Sequence, residues 1–125
     1  MIGRIVAVRG AAAVGNPWDV TSGNISSTAS SSFSITGATT TVPDTLVIAV
    51  VASTIDTTSW QISTWANSNL QSFPNIWIDN NTNIGGGGGF GLATGIMATA
   101  GNYGATTGTL RYSSTQAMMT IALKP

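Results

Sequence analysis

Hydrophobic and polar residues alternate along much of this chain with a period of two, and helical periodicity is nearly absent. In the segment 31–36, for example, Phe33 and Ile35 alternate with serine and threonine residues. Because successive side chains of a β-strand point to opposite faces of a sheet, this alternation indicates strands with one buried face. The pattern therefore predicts an all-β protein.

Turn-forming residues interrupt the pattern at short intervals, so we expect about seven strands. The predicted strands cover residues 4–10, 31–36, 45–53, 75–80, 89–100, 107–114 and 117–125. The strand 45–53, TLVIAVVAS, is apolar on both faces, which is typical of a central strand covered on both sides. The GNYG segment 101–104 is predicted to form a hairpin turn between the strands that flank it. The chain is thus interpreted as a single domain, residues 1–125, with an antiparallel β-sandwich fold of the jelly-roll or immunoglobulin-like kind.

The composition limits the chemistry that the chain can perform. The sequence has no cysteine, histidine or glutamate, so thiolate nucleophiles, sulfur-ligated metals and the usual proton shuttle at neutral pH are excluded. Every acid–base role would fall on the four aspartates, which are dispersed along the chain. Two of them would have to meet in one cleft to make a hydrolytic pair. We therefore predict a protein that is not an enzyme, with no catalytic residues and no cofactor.

The charge pattern limits the partners. Only 6% of the residues are charged, and four cationic side chains balance four aspartates. Nucleic acid is not an expected partner, because binding phosphates requires a basic stripe. A membrane span is not expected either, since the longest aliphatic run has seven residues and about 20 are needed. Arg9 also interrupts the apolar N-terminus, so no secretory signal is predicted. So few charges suggest a protein that is docked to a partner.

The glycine run in NIGGGGGFG, residues 83–91, raises the question of a phosphate-binding loop. Such a loop requires a nearby lysine and a following helix, and here the residues after the glycines have the pattern of a strand. Two interpretations remain. The run forms an irregular loop that links two strands, or it forms a glycine-lined contact with a neighbouring subunit.

Just before the glycines, Asp79, Asn81 and Asn83 alternate in a way that resembles an oxygen-rich calcium loop. The match to the helix–loop–helix calcium pattern is partial, because Ile84 and Phe90 occupy the positions of the required glycine and acid. The residues are kept as a weak calcium candidate, with a solvated asparagine-rich turn as the alternative.

Three tryptophans and one phenylalanine are the interface candidates: Trp60, Trp65, Trp77 and Phe90. Trp77 falls on the same predicted strand face as Asn75 and Asp79. An aromatic ring beside amide and carboxylate groups can stack on a sugar or anchor a protein interface. Three interpretations stay open for Trp77: packing beneath a loop or second sheet, contact with a subunit or capsid, and glycan binding.

Three segments resemble the β-sandwich domains of tailed-phage virion proteins. They are RIVAVRGAAAVGNPWDV (4–20), SITGATTTVPDTLVIAVVAS (34–53) and IMATAGNYGATTGTLRYSSTQAMMTIALKP (96–125), in that order. In longer proteins of this kind a strand-rich half precedes the first segment. The resemblance therefore leaves two expectations: a compact domain that closes on itself, or a sandwich that another chain completes.

The resemblance implies a structural protein of the virion. The leading hypothesis is a capsid decoration protein on the capsid surface, assembled in the host cytoplasm. Its partners would be the major capsid protein and copies of itself. The alternative is a tail-fibre or receptor-binding module that recognises host glycans. A buried Trp77 and a flat apolar patch would favour decoration, whereas a cluster of exposed tryptophan and asparagine side chains would favour glycan recognition.

Overall fold

A computed structural model describes residues 3–125 and contains six β-strands. The strands are β1 Trp18–Ile35, β2 Thr45–Ser53, β3 Ile62–Ala66, β4 Trp77–Thr82, β5 Gly88–Met97 and β6 Thr106–Leu123. The all-β prediction is confirmed. The described residues include no helix long and apolar enough to cross a bilayer.

All six strands belong to one antiparallel sheet with the order β1-β6-β2-β5-β4, and β3 also pairs with β6. The two halves of β6 have different neighbours. Its second half pairs with β2 from Gln116 to Leu123, and its first half pairs with β3 from Thr107 to Leu110. β1 lies along the other side of both halves. Register shifts between Ser26 and Ser32 interrupt the β1–β6 ladder, and bulges of this kind let a sheet bend sharply.

The bend folds the sheet over itself and encloses the main core. The first half of β6, the end of β1 and β3 form a short upper part that covers the inner side of β2 and β5. Ring centroids of Phe33 and Trp65 lie 4.9 Å apart in an edge-to-face arrangement within this core. The cluster contains Phe33, Ile35, Ala49, Val51, Ile55, Ile62, Trp65, Ala93, Leu110 and Met118.

The finer prediction of a sandwich with two separate sheets is not confirmed, because one hydrogen-bonded sheet supplies both parts. The strand count also differs. The predicted strands 107–114 and 117–125 form the single strand β6. β3 and the first half of β1 were not predicted, since β3 is short and residues 18–30 are rich in serine and threonine, which leaves little apolar alternation.

The prediction of a strand at 4–10 was wrong, since this segment has no regular secondary structure. Residues 6–9 lie instead against Leu46, Ile48 and Thr94, with which they line a shallow cavity. The apolar residues of this segment therefore cover part of a sheet face without joining the hydrogen-bond ladder.

The prediction of a hairpin turn at 101–104 was also wrong. β5 pairs with β2 and β4, whereas β6 pairs with β1, β2 and β3, so the flanking strands lie apart. Tyr103 is instead a core residue of this crossing connection, and its hydroxyl lies 2.6 Å from Thr120 Oγ1. Burial raises the pKa of Tyr103 above its usual value, even though the hydrogen bond with Thr120 acts in the opposite direction.

Candidate functional site

The sheet has two faces with different surroundings. A Cβ atom added to Gly91 would lie 1.6 Å from Cδ1 of Ile62, so the side of β5 that carries Gly91 faces β3. We call this side the inner face. Since side chains alternate along a strand, the neighbouring residues Phe90 and Leu92 lie on the opposite side, the outer face.

Large apolar side chains cover the outer face of the strands that the structure describes. Its register brings together Ile25 of β1, Met119 and Ile121 of β6, Ile48 and Val50 of β2, Phe90 and Leu92 of β5, and Ile78 of β4. Ile25 is 79% exposed and Met119 is 42% exposed, whereas residues 6–9 cover the part near Ile48. No outer-face position on β2, β4, β5 or residues 116–123 of β6 carries a charge, and Arg9 lies in the segment that covers Ile48. The uncovered part is an apolar surface of the kind that marks interaction sites.

A second candidate surface is a groove where β4, at the edge of the sheet, approaches the start of β3. Its volume is about 440 Å³, and we call it the aromatic groove. The lining residues are Trp60, Ile62, Ser63, Trp77 and Asp79. Both tryptophans are partly open to solvent, Trp60 at 54% and Trp77 at 46%.

The sequence of β4 and β5 explains why a groove forms here. Trp77 and Asp79 are two residues apart, so both point to the inner side of β4. Their partners on β5 are Ala93 and Gly91, and Ile62 of β3 packs against Gly91. The groove is therefore bordered by Trp77 and Asp79 of β4 on one side and by the start of β3 on the other.

Asp79 also fastens β3 to β4. Its Oδ2 atom accepts hydrogen bonds from the backbone amides of Gln61 and Ile62 at 2.8 and 2.9 Å. These two bonds hold the beginning of β3 against the edge strand, and with it one wall of the groove. Asp79 is thus a positioning residue as well as a lining residue.

Two polar atoms beside the groove have no hydrogen-bond partner. Asp79 Oδ1 and Gln61 Nε2 are both withdrawn from solvent, and neither is paired. An unsatisfied buried polar group costs about 1–3 kcal/mol. One acceptor and one donor are therefore left without partners on residues that adjoin the groove.

Arg111 holds the indole of Trp60 in place. Its guanidinium carbon lies 5.0 Å from the centroid of Trp60 and 5.3 Å from that of Tyr112, which are cation–π distances. The backbone amide of Arg111 donates to the carbonyl of Gln61 at 2.6 Å. Neither Arg111 nor Gln61 was predicted to contribute to a site. The pairing of β3 with β6 brings them together, and the sequence pattern did not predict β3.

The four interface candidates occupy three different environments. Trp60 and Trp77 share the aromatic groove, and Phe90 is partly covered on the outer face. Trp65 is only 7% exposed and packs between Phe33 and Phe73, so it is a core residue and does not form part of a surface.

The calcium candidates lie at the end of β4. Asp79 and Asn81 are within the strand and Asn83 follows it, while one oxygen of Asp79 is engaged with two amides. Among residues 3–125, no three aspartates come together as a metal-binding group. A calcium site at these residues stays a prediction.

The glycine run forms the connection between β4 and β5, as one of its two interpretations expected. Gly85 to Gly88 all have positive φ angles, which side chains with a Cβ rarely adopt. The loop presses against its own chain, since a Cβ on Gly87 would lie 2.5 Å from the Cα of Asp56. The Gly88 amide donates to the Ile55 carbonyl at 3.0 Å.

Comparison with protein-family models, with curated proteins and with solved structures finds no match to this chain. The resemblance to tailed-phage virion proteins therefore stays a prediction from the sequence motifs.

Proposed function

We propose that this chain is a non-enzymatic docking protein of a tailed-phage virion. It attaches through its outer face to the shell built by the major capsid protein. The observation that supports the docking role most directly is the apolar outer face, with Met119 and Ile25 exposed at its open end, whereas the exposed Trp77 favours glycan recognition at a separate site. The virion location comes from the sequence resemblance.

The β1 edge of the sheet is less suited to docking than the outer face. β1 is an edge strand, and exposed edges invite strand addition. Part of this edge is already satisfied by the side chain of Asn24, whose amide donates to the Ser34 carbonyl at 3.0 Å. The Asn24 carbonyl oxygen accepts from the Thr36 amide at 2.9 Å. Face-to-face docking is therefore favoured over addition of another chain at the β1 edge.

Stabilisation of the shell follows from mass action. A protein that binds only the assembled shell shifts the equilibrium away from the open or dissociated state. Burial of the outer face supplies the free energy at roughly 25 cal/mol per Å² of apolar surface. No charge on the outer positions of β2, β4 and β5 has to be desolvated, which lowers the desolvation cost of docking.

The test is reconstitution of purified chain onto particles that lack it, with copy number measured against the major capsid protein. We expect hundreds of copies in a fixed ratio to the shell subunit. Met119→Lys, which places a charge on the outer face, should lower occupancy by about tenfold or more. Ala66→Lys is the control, because Ala66 is exposed on β3, away from the outer face.

Two results would contradict the proposal. A copy number of a few to a few tens would place the chain in the tail, and equal occupancy of both lysine variants would exclude the outer face. Light scattering of the free chain adds a separate check on the expected homo-oligomer. If two outer faces cover one another in solution, Met119→Lys converts the oligomer to monomer.

A further inference from the structure

We propose that the aromatic groove between Trp60 and Trp77 is a saccharide-binding site that takes a pyranose ring. This site is separate from the outer face, since the groove is formed by β3 and the inner side of β4. Its function therefore does not depend on the docking proposal.

The two indoles supply the stacking surface. Carbohydrate rings present C–H groups on their faces, and these groups pack on the electron-rich face of an aromatic ring. Trp60 and Trp77 are about half exposed, while the chain buries Trp65 in its core. A ligand that covers both half-exposed indoles removes their apolar surface from water, which favours binding.

The unpaired polar atoms supply the complementary chemistry. A sugar hydroxyl is both a donor and an acceptor, and Asp79 Oδ1 and Gln61 Nε2 lack one partner of each kind. Of these two residues only Asp79 lines the groove, whereas Gln61 is 1% exposed behind it. A sugar hydroxyl that reaches Asp79 Oδ1 provides the donor that this atom lacks.

The groove is also held in shape before any ligand arrives. Arg111 restrains the indole of Trp60, and Asp79 Oδ2 ties the start of β3 to β4. A pre-organised site loses little conformational entropy on binding. The volume of about 440 Å³ lies within the usual range of small-ligand sites, about 300–1,000 Å³.

The experiment is an NMR titration that follows the indole N–H signals of the four tryptophans. The probes are hexasaccharides of glucose, hexasaccharides of N-acetylglucosamine, and delipidated bacterial lipopolysaccharide. We expect at least one probe to shift the signals of Trp60 and Trp77 while those of Trp18 and Trp65 stay in place. Dissociation constants from the same titrations then compare two variants.

Trp77→Ala should weaken binding by about tenfold or more. Trp18→Ala is the matched control, because Trp18 is exposed to a similar extent, 47%, but lies on β1 at the other edge of the sheet. The proposal is overturned if no probe shifts the Trp60 and Trp77 signals. It is also overturned if both alanine variants bind as tightly as the original chain. Particle occupancy in the docking assay should be unchanged by Trp77→Ala, so the two proposals fail independently.

Discussion

On the inner face of β5, residues 89–95 are glycine or alanine and only Met97 at the end is large, whereas the outer face of the same strand carries Phe90 and Leu92. The inner face is nevertheless the one that the chain covers most completely. Side chains of the upper part and of the loop after β3 fill the space above it, and a Cβ on Gly95 would lie 2.9 Å from the ring of Phe73. The small residues allow this close approach.

This contrast shows that the face of β5 with the larger side chains is not the face that lies in the main core of the domain. The inner face is closed by Ile62 and Trp65, which supply the volume that the glycines lack. The outer face has its own large side chains, and residues 6–11 lie over its part around Leu46, Ile48 and Ile96. One face therefore completes the fold, and the other remains available to a partner.

Two adjacent methionines test this contrast most strongly. Met118 is 6% exposed on the inner face, and Met119 is 42% exposed on the outer face. Met118→Lys should lower the free energy of unfolding by about 4 kcal/mol or more, because an unpaired charge enters the core. Met119→Lys should change it by no more than about 0.5 kcal/mol. Urea denaturation of both variants measures the difference, and equal losses would show that the two faces are equally buried.

The same comparison can be made by adding volume. Gly91→Val places methyl groups against Ile62, and we expect a loss of about 1–3 kcal/mol from overpacking. Ala52→Val adds two methyl groups to the partly exposed outer face of β2, where space is available, and should stay within about 0.5 kcal/mol. Thermal unfolding of the pair gives the comparison. A neutral Gly91→Val would mean that β3 does not press on the inner face.

The smallest effect on stability is expected at the surface, where the Asp19 carboxylate accepts hydrogen bonds from Thr41. Burial alone would raise the pKa of Asp19, but hydrogen bonds from the Thr41 hydroxyl and amide, together with Lys124, lower it below its usual value. A lowered folded-state pKa means that the ionised form stabilises the protein above the unfolded pKa of about 3.9. This contribution is lost as the pH falls through the lowered value.

Asp19→Asn should therefore flatten the decrease in unfolding free energy below about pH 4. The effect is roughly a few tenths of a kcal/mol, since solvent screens a carboxylate at the surface. Urea denaturation between about pH 5 and pH 2 measures it, and Thr41→Val should reproduce part of the flattening. An unchanged pH profile in both variants would show that these hydrogen bonds do not contribute to stability.

Much of the fold could be predicted from local pattern, but less of the candidate site. The buried pair Phe33 and Ile35 and the central strand 45–53 follow from the alternation of apolar residues, and the structure confirms both. The segment 4–10 alternates in the same way and still forms no strand. Alternation indicates that one side of a segment packs against apolar residues, but it does not show that a neighbouring strand is there to form hydrogen bonds. Hydroxyl-rich strands such as the first half of β1 carry no such signal.

The sequence by itself determined the all-β class, the poverty of charge and the lack of thiol and imidazole chemistry, because these depend only on composition and on a period of two. Only the tertiary structure decided which face is covered, that Trp65 is a core residue, and that Trp60 and Trp77 meet at one groove. Those outcomes depend on the register of β6 against two different neighbours and on the bend of the sheet. Contacts between residues far apart in the chain set both, and no local pattern contains them.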